Sequence, residues 1–217
     1  MEQYLEELLD GTISRYAGLA GCRESMARAY AIMEESYCKG RKLLVCGNGG
    51  SASDSEHIVG ELMKEFRLKR RVYSGQAEAL RAIDAELGGV LADKLQGALP
   101  AITLTAHSSL TTAFMNDSEP SLVFAQQVNG YGKTGDVLLG ISTSGNSKNV
   151  LYAAVTAKAR GMRTIGLTGA RESRLSALCD VCIRVGETET YKVQELHLPV
   201  YHCLCMMLEE RFFGKRG

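Results

Sequence analysis

The chain has 217 residues, 45% of them hydrophobic, and its 25 Lys plus Arg are balanced by 25 Asp plus Glu. A chain of this length buries roughly 70% of the surface its unfolded form exposes and needs no staples. Zero net charge argues against broad nucleic-acid binding, which calls for a basic face. No apolar run reaches the roughly 18 residues of a membrane span, and the acidic start Met1–Glu7 lacks a signal peptide's basic and apolar parts. A cytoplasmic protein with no membrane partner is expected. Seven cysteines, an odd number, are expected as reduced and mostly buried thiols. Cys179-Asp180-Val181-Cys182 has redox-pair spacing, and core packing is its expected role.

In chain order, residues 2–38 carry helical periodicity. Tyr4, Leu5, Leu8, Leu9 and Ile13 form one stripe, and Met26, Ala29, Tyr30 and Met33 a second, with a break at Gly18, Gly21 and Cys22. Gly40 stands where a helix stop belongs. Five short apolar runs follow: 42–46, 101–105, 136–141, 163–167 and 181–185. Helical stretches separate them, including 51–66, 147–160 and 174–178. This alternation predicts an α/β domain with a parallel sheet. The basic run Arg67-Leu68-Lys69-Arg70-Arg71 reads as a solvated loop or helix end. Residues 76–99 read as a helix interrupted at Gly88-Gly89, making a long crossover between the first two strands. A final amphipathic helix spans about 194–213, and Pro199 suits a first turn, so its regular part is expected from near Leu198.

Two strand-to-helix turns are candidate anion sites: Cys46-Gly47-Asn48-Gly49-Gly50-Ser51 and Gly140-Ile141-Ser142-Thr143-Ser144-Gly145-Asn146-Ser147. Free backbone N–H groups and the helix dipole attract anions there. Neither turn is a Walker loop or a dinucleotide fingerprint, so no nucleotide cofactor is expected. The hydroxyls of Ser142, Thr143, Ser144 and Ser147 suit a phosphomonoester; helix capping alone is the competing reading. His57 and Glu61 lie at i and i+4 and share a helix face. Such pairs are common on exposed faces, and this one becomes a site only if another element reaches it. Gln194 and His202 lie eight residues apart, about 12 Å and 80° on a helix, and two side chains leaning together can meet midway. His107 and His197 read as ordinary polar or packing histidines. Asn116-Asp117 suits sugar-hydroxyl ligands or a helix cap.

At these residues the sequence resembles a known family. C-G-N-G-G-S (46–51), G-I-S-T-S-G-N-S (140–147) and V-Q-E-L-H-L-P-V-Y-H (193–202) look like the sugar isomerase (SIS) domain and, more closely, the bacterial phosphoheptose isomerases, over about residues 30–210. The resemblance implies a three-layer αβα SIS domain with a five-stranded parallel sheet and N-terminal helices. Residues 1–38 would be a helical arm and 39–217 the SIS domain, with an extended helical insertion near 67–100. It implies a homotetramer that converts sedoheptulose 7-phosphate to D-glycero-D-manno-heptose 7-phosphate through an enediol, feeding lipopolysaccharide or other surface glycans. Glu61 would be the general base and His202 the general acid. Asn48, Gly49, Gly50, Ser51, Glu61, Asn116, Asp117, Ser142, Thr143, Ser144, Ser147 and Gln194 would hold the phosphorylated sugar. His57, Glu61, Gln194 and His202 would hold zinc. The sequence departs from the family at Glu65, where an arginine is common, at Tyr191, where an aspartate is common, and in its longer 67–100 segment. A non-catalytic SIS phosphosugar-binding or regulatory protein, or an isomerase of another sugar phosphate, is the competing function.

Overall fold

A computed structural model describes residues 2–214; Met1 and residues 215–217 lie outside the described residues. The N-terminal periodicity folds as α1 (Gln3–Arg15), a 3₁₀ turn (Ala17–Cys22) and α2 (Arg23–Cys38), and Gly40 takes a positive φ of 65° just beyond. Then come β1 (Leu43–Cys46), α3 (Gly50–Met63), α4 (Ser74–Ile83), α5 (Ala85–Lys94) and β2 (Ala101–Thr103). The β2-to-β3 connection holds two helices that the sequence reading left unassigned, α6 (Ser108–Asp117) and α7 (Val123–Tyr131). The rest is β3 (Val137–Ile141), α8 (Lys148–Ala159), β4 (Arg163–Thr168), α9 (Arg174–Leu178), β5 (Val181–Arg184) and α10 (Thr190–Phe213).

All strand pairs are parallel, in the order β2-β1-β3-β4-β5. Alternate strand residues face opposite layers, as the pleat requires. Leu43, Val45, Val137, Leu139 and Ile141 pack with residues of α1, α2, α3 and α10, such as Leu5, Met26, Ile58 and Leu204. Leu44, Cys46 and Leu138 pack with α7, α8 and α9 through Val128, Val150, Ala154 and Leu175. This is the expected αβα sandwich.

Three local readings need correction. The crossover helix breaks at Asp84 and not at Gly88-Gly89. The Asp84 side chain accepts from the Glu86 and Leu87 N–H groups at 3.0 and 2.7 Å, so it caps a new helix. Gly88 sits inside α5, where a Cβ would lie 1.9 Å from the Leu80 carbonyl oxygen; glycine lets the two helices touch backbone to backbone. Next, α10 runs through Pro199 from Thr190, so the proline is interior and not in a first turn. Val193, His197, Val200 and Tyr201 are buried on both sides of it. Burial of such side chains, about 1.5–3 kcal/mol each, offsets the roughly 3 kcal/mol cost of the proline.

Finally, the basic run is not simply solvated. Arg70 is 1% exposed. Its Nε donates to Glu209 Oε1 at 2.7 Å, and its terminal nitrogens donate to the carbonyls of Leu62 and Glu61, both at 2.9 Å. The Glu209 carboxylate also accepts from the Phe66 and Arg67 N–H groups at 2.9 and 2.8 Å. Arg70 thereby satisfies the orphan carbonyls that end α3 and ties that end to α10. The cysteines are free thiols; Cys22, Cys46, Cys203 and Cys205 are buried, Cys179 and Cys182 half-buried, and Cys38 exposed. Burial pushes the Cys179 thiol up to about 12, which keeps it unreactive.

Two outcomes are expected. Arg70→Met leaves Glu209 charged and unpaired in the core and lowers the unfolding free energy by about 3–5 kcal/mol; Arg70→Met with Glu209→Leu regains most of it in urea denaturation. An unchanged midpoint in the single variant contradicts the ion pair's role. Fully buried His197 is held neutral, its pKa lowered from 6.5 to about 4 by burial, with only partial compensation from the Thr168 backbone. Its stabilisation is therefore complete above the unfolded value and is lost as pH falls from 6.5 toward 4, by about 3 kcal/mol in all. Urea titrations of wild type and His197→Leu across that window read the difference directly, and parallel curves would rule it out.

Candidate active site

Both turns project from the carboxyl edge of the sheet. The first leaves β1, the second leaves β3, and these strands are neighbours. In the 2-1-3-4-5 order this is the point where the chain reverses direction across the sheet, the usual place for a ligand crevice. In the first turn Gly49 has φ +56°, a conformation open to glycine. A Cβ at Gly50 would lie 2.4 Å from Gln194 Nε2, so the Gln194 carboxamide rests on the start of α3. Ser51 is buried under the same turn. In the second turn the Ser142 and Ser147 hydroxyls are 3.0 Å apart. Ser147 occupies the N-cap of α8 with no side-chain capping bond, so its hydroxyl is not spent on the helix. Ser144 is exposed, its Oγ accepting from the Asn146 N–H at 3.2 Å, and Thr143 is half-buried. Asn48 and Asn149 exchange hydrogen bonds of 3.0 and 2.8 Å and join the first turn to the start of α8.

The second cluster lies further along α3. His57 and Glu61 face the same way, with Nε2 3.1 Å from Oε1. The i, i+4 pair acquires its third member from α10: one ligand-capable atom each of His57, Glu61 and His202 lie within 4.8 Å of one another. The His57 and His202 rings stand edge to face with centroids 5.0 Å apart. Glu61 is 8% exposed, and its Oε2, like His202 Nε2, has no hydrogen-bond partner among the described residues. Lys64 Nζ stands 3.7 Å from that oxygen. Burial, then the neighbouring His57, lower the His202 pKa, with Glu61 opposing. A cleft of about 350 Å³ opens on His202 between α1 and α10, lined also by Arg15, Phe66, Arg67 and Met206.

Two unpartnered buried acceptor-capable atoms facing an imidazole fit a shared cation: imidazole nitrogen and carboxylate oxygen are common ligands of divalent metals. His57, Glu61 and His202 are the residues that could hold one, and Gln194 contacts the α3 start at Gly50. The remaining sequence candidates sit on or beside α6. Asn116 and Asp117 end α6, exposed and bonded to each other at 2.9 Å, so they cap no helix start. His107 precedes α6 and stacks against Tyr131 at 5.5 Å. Sequence reasoning missed Tyr201 and Asp54. The Tyr201 hydroxyl lies 3.0 Å from His57 Nδ1 and donates to Asp54 Oδ1 at 3.3 Å. Their spacing was readable: Asp54 lies three residues before His57, and Tyr201 immediately precedes His202.

Comparison with known proteins places the chain in a family. The SIS domain family matches over residues 74–169. A phosphoheptose isomerase of a Nitratiruptor species is 42% identical over 79% of this chain and 78% of its own. That of Rhodospirillum rubrum is 35% identical over 97% of this chain and 98% of its own. The solved structure of a phosphoheptose isomerase from Francisella tularensis superposes with a TM-score of 0.74, at 30% identity, over 95% of each chain. With its doubly wound sheet, its paired turns at the reversal point and relatives aligned along 78–98% of their lengths, the chain belongs to the phosphoheptose isomerase family of SIS-domain proteins.

Proposed function

We propose that this chain interconverts sedoheptulose 7-phosphate and D-glycero-D-manno-heptose 7-phosphate by an aldose–ketose proton transfer, with Glu61 as base and His202 serving the oxygens. The observation that carries this reading is the convergence of the Glu61 carboxylate and the His202 imidazole from two different helices, in a chain whose relatives bear the phosphoheptose isomerase name. The reaction moves one carbon-bound proton. Glu61 takes it from C1 of the ketose, leaving an enediol, and returns it to C2; the hydroxyl proton at O1 is lost as O2 gains one. A carboxylate with one oxygen that accepts no hydrogen bond among the described residues suits the carbon proton. An imidazole kept neutral by burial suits the oxygens, since neutral imidazole can still polarise a carbonyl. Positioned acid–base groups of this kind contribute about 10²–10⁴-fold each.

The serine turn, through Ser142, Thr143, Ser144 and Ser147, holds the phosphate and keeps the distant carbons aligned. Asn48, Gly49, Gly50, Ser51 and Gln194 line the sugar, and Asn116 and Asp117 complete its hydroxyl contacts. Zinc is the cation we assign to His57, Glu61, Gln194 and His202, and when bound it supplies Lewis-acid polarisation of the substrate oxygens. Residues 1–38 form a helical arm and 39–217 the SIS domain, with the insertion near 67–100. The chain works as a cytoplasmic homotetramer feeding lipopolysaccharide or other surface glycans; free thiols suit a reducing compartment. A purely phosphosugar-binding protein would have no use for the Glu61–His202 pair, so catalysis is the favoured reading.

Two outcomes test this. Glu61→Gln retains phosphosugar binding by calorimetry but loses at least about 10²-fold in turnover of sedoheptulose 7-phosphate in a coupled assay; near-normal turnover rejects the base assignment. Ser144→Ala, which removes one charge-assisted hydrogen bond of about 1.5–3 kcal/mol, raises KM by roughly 10–100-fold with a smaller change in kcat. A KM that does not move places the phosphate elsewhere.

A further inference from the structure

Resting on the proposed site, one inference concerns a residue outside its assigned set. Tyr201 is 2% exposed on α10, one residue before His202. Its hydroxyl touches two groups of α3, His57 Nδ1 at 3.0 Å and Asp54 Oδ1 at 3.3 Å. The second Asp54 oxygen has no hydrogen-bond partner among the described residues.

A hydroxyl has one proton to give, and an ionised carboxylate only accepts. A phenol keeps its proton at neutral pH. With His57 neutral and Asp54 ionised, two arrangements exist. If Tyr201 donated to His57 Nδ1, the half-buried Asp54 carboxylate would have no donor at all, an expensive loss for a charged acceptor. If Tyr201 donates to Asp54, its lone pair faces His57 Nδ1, which must carry the proton. His57 Nε2 is then bare, 3.1 Å from Glu61 Oε1. Two lone pairs at that distance repel, a cost that the Tyr201–Asp54 bond outweighs in the metal-free protein and that a cation between them removes.

We propose that Tyr201, oriented by Asp54, is a positioning residue that holds His57 as its Nδ1–H tautomer and so presents Nε2, together with Glu61, to a cation. The ring supports the same geometry. His57 stands edge to face against both Tyr201 and His202, with centroids 5.5 and 5.0 Å away, which fixes its plane as well as its proton. A partner on the far nitrogen of a metal-binding histidine normally does both jobs.

The test uses the full-length, metal-free protein labelled with ¹⁵N-histidine, at a pH where imidazole is neutral, with His57 assigned through His57→Gln. Wild type shows His57 protonated on Nδ1. Asp54→Ala frees the Tyr201 proton for Nδ1 and moves the tautomer to Nε2–H; Tyr201→Phe removes the preference. Zinc affinity, measured by competition calorimetry, falls about 10–100-fold in each variant. An Nε2–H wild type, or unchanged tautomer and zinc affinity in both folded variants, overturns the proposal; the wild-type spectrum alone decides if a variant fails to fold. Sedoheptulose 7-phosphate turnover is measured separately, so loss of the isomerase reading and loss of this one are distinguishable.

Discussion

The buried contact between Arg70 and Glu209 is the constraint from which the site's geometry follows. Its guanidinium grips the last carbonyls of α3, including that of Glu61, while its carboxylate partner belongs to α10. The same two helices supply the imidazole and the carboxyl group that must meet. A buried ion pair tolerates its desolvation only when every donor and acceptor is used. Here Nε and both terminal nitrogens are engaged, the Phe213 ring covers the cation at 4.8 Å, and two further N–H groups complete the carboxylate. Such an arrangement has one satisfactory geometry, so it specifies the separation of α3 and α10 more sharply than apolar packing would.

Much of this architecture was legible in the amino-acid order. Strands buried on both faces advertise themselves as short apolar runs, and all five fell within about two residues of their observed ends. The glycine and serine turns were visible because so many glycines and hydroxyls directly after a strand mark a strand-to-helix turn. The meeting of Glu61 with His202 was readable as a wager, since spacing on one helix fixes a face but cannot say what approaches it. Arg70 was not legible: within Arg67–Arg71 nothing local separates one cation from the next, and burial of the third is decided by Glu209, 139 residues away. Asp84 was overlooked as a cap because two adjacent glycines look like a stronger break. Glycine there serves close approach, and aspartate does the interrupting. The proline of α10 misled for a related reason: propensity is a local term, and core packing on either side outweighed it.

The α3 helix carries two tasks at its two ends. Its amino end, with Gly49 and Gly50, forms part of the crevice beside the serine turn, and its later turns carry Asp54, His57 and Glu61. A rigid rod is a good carrier for both, since displacement of one end is felt at the other without passing through loops. The half-buried surroundings of the second cluster matter equally. Low polarity keeps His202 neutral and strengthens every remaining electrostatic contact around Glu61.

The clasp between Asn48 and Asn149 bears on how a guest is admitted. Each carboxamide gives one N–H to the other's oxygen, so part of the hydrogen-bonding capacity at this edge is already engaged. A polar group arriving there trades one amide contact for another of similar strength, with little net enthalpy gained. Discrimination at this rim must then come from shape, from whether the visitor's oxygens fall where the departing partner's atoms stood, and not from raw polarity.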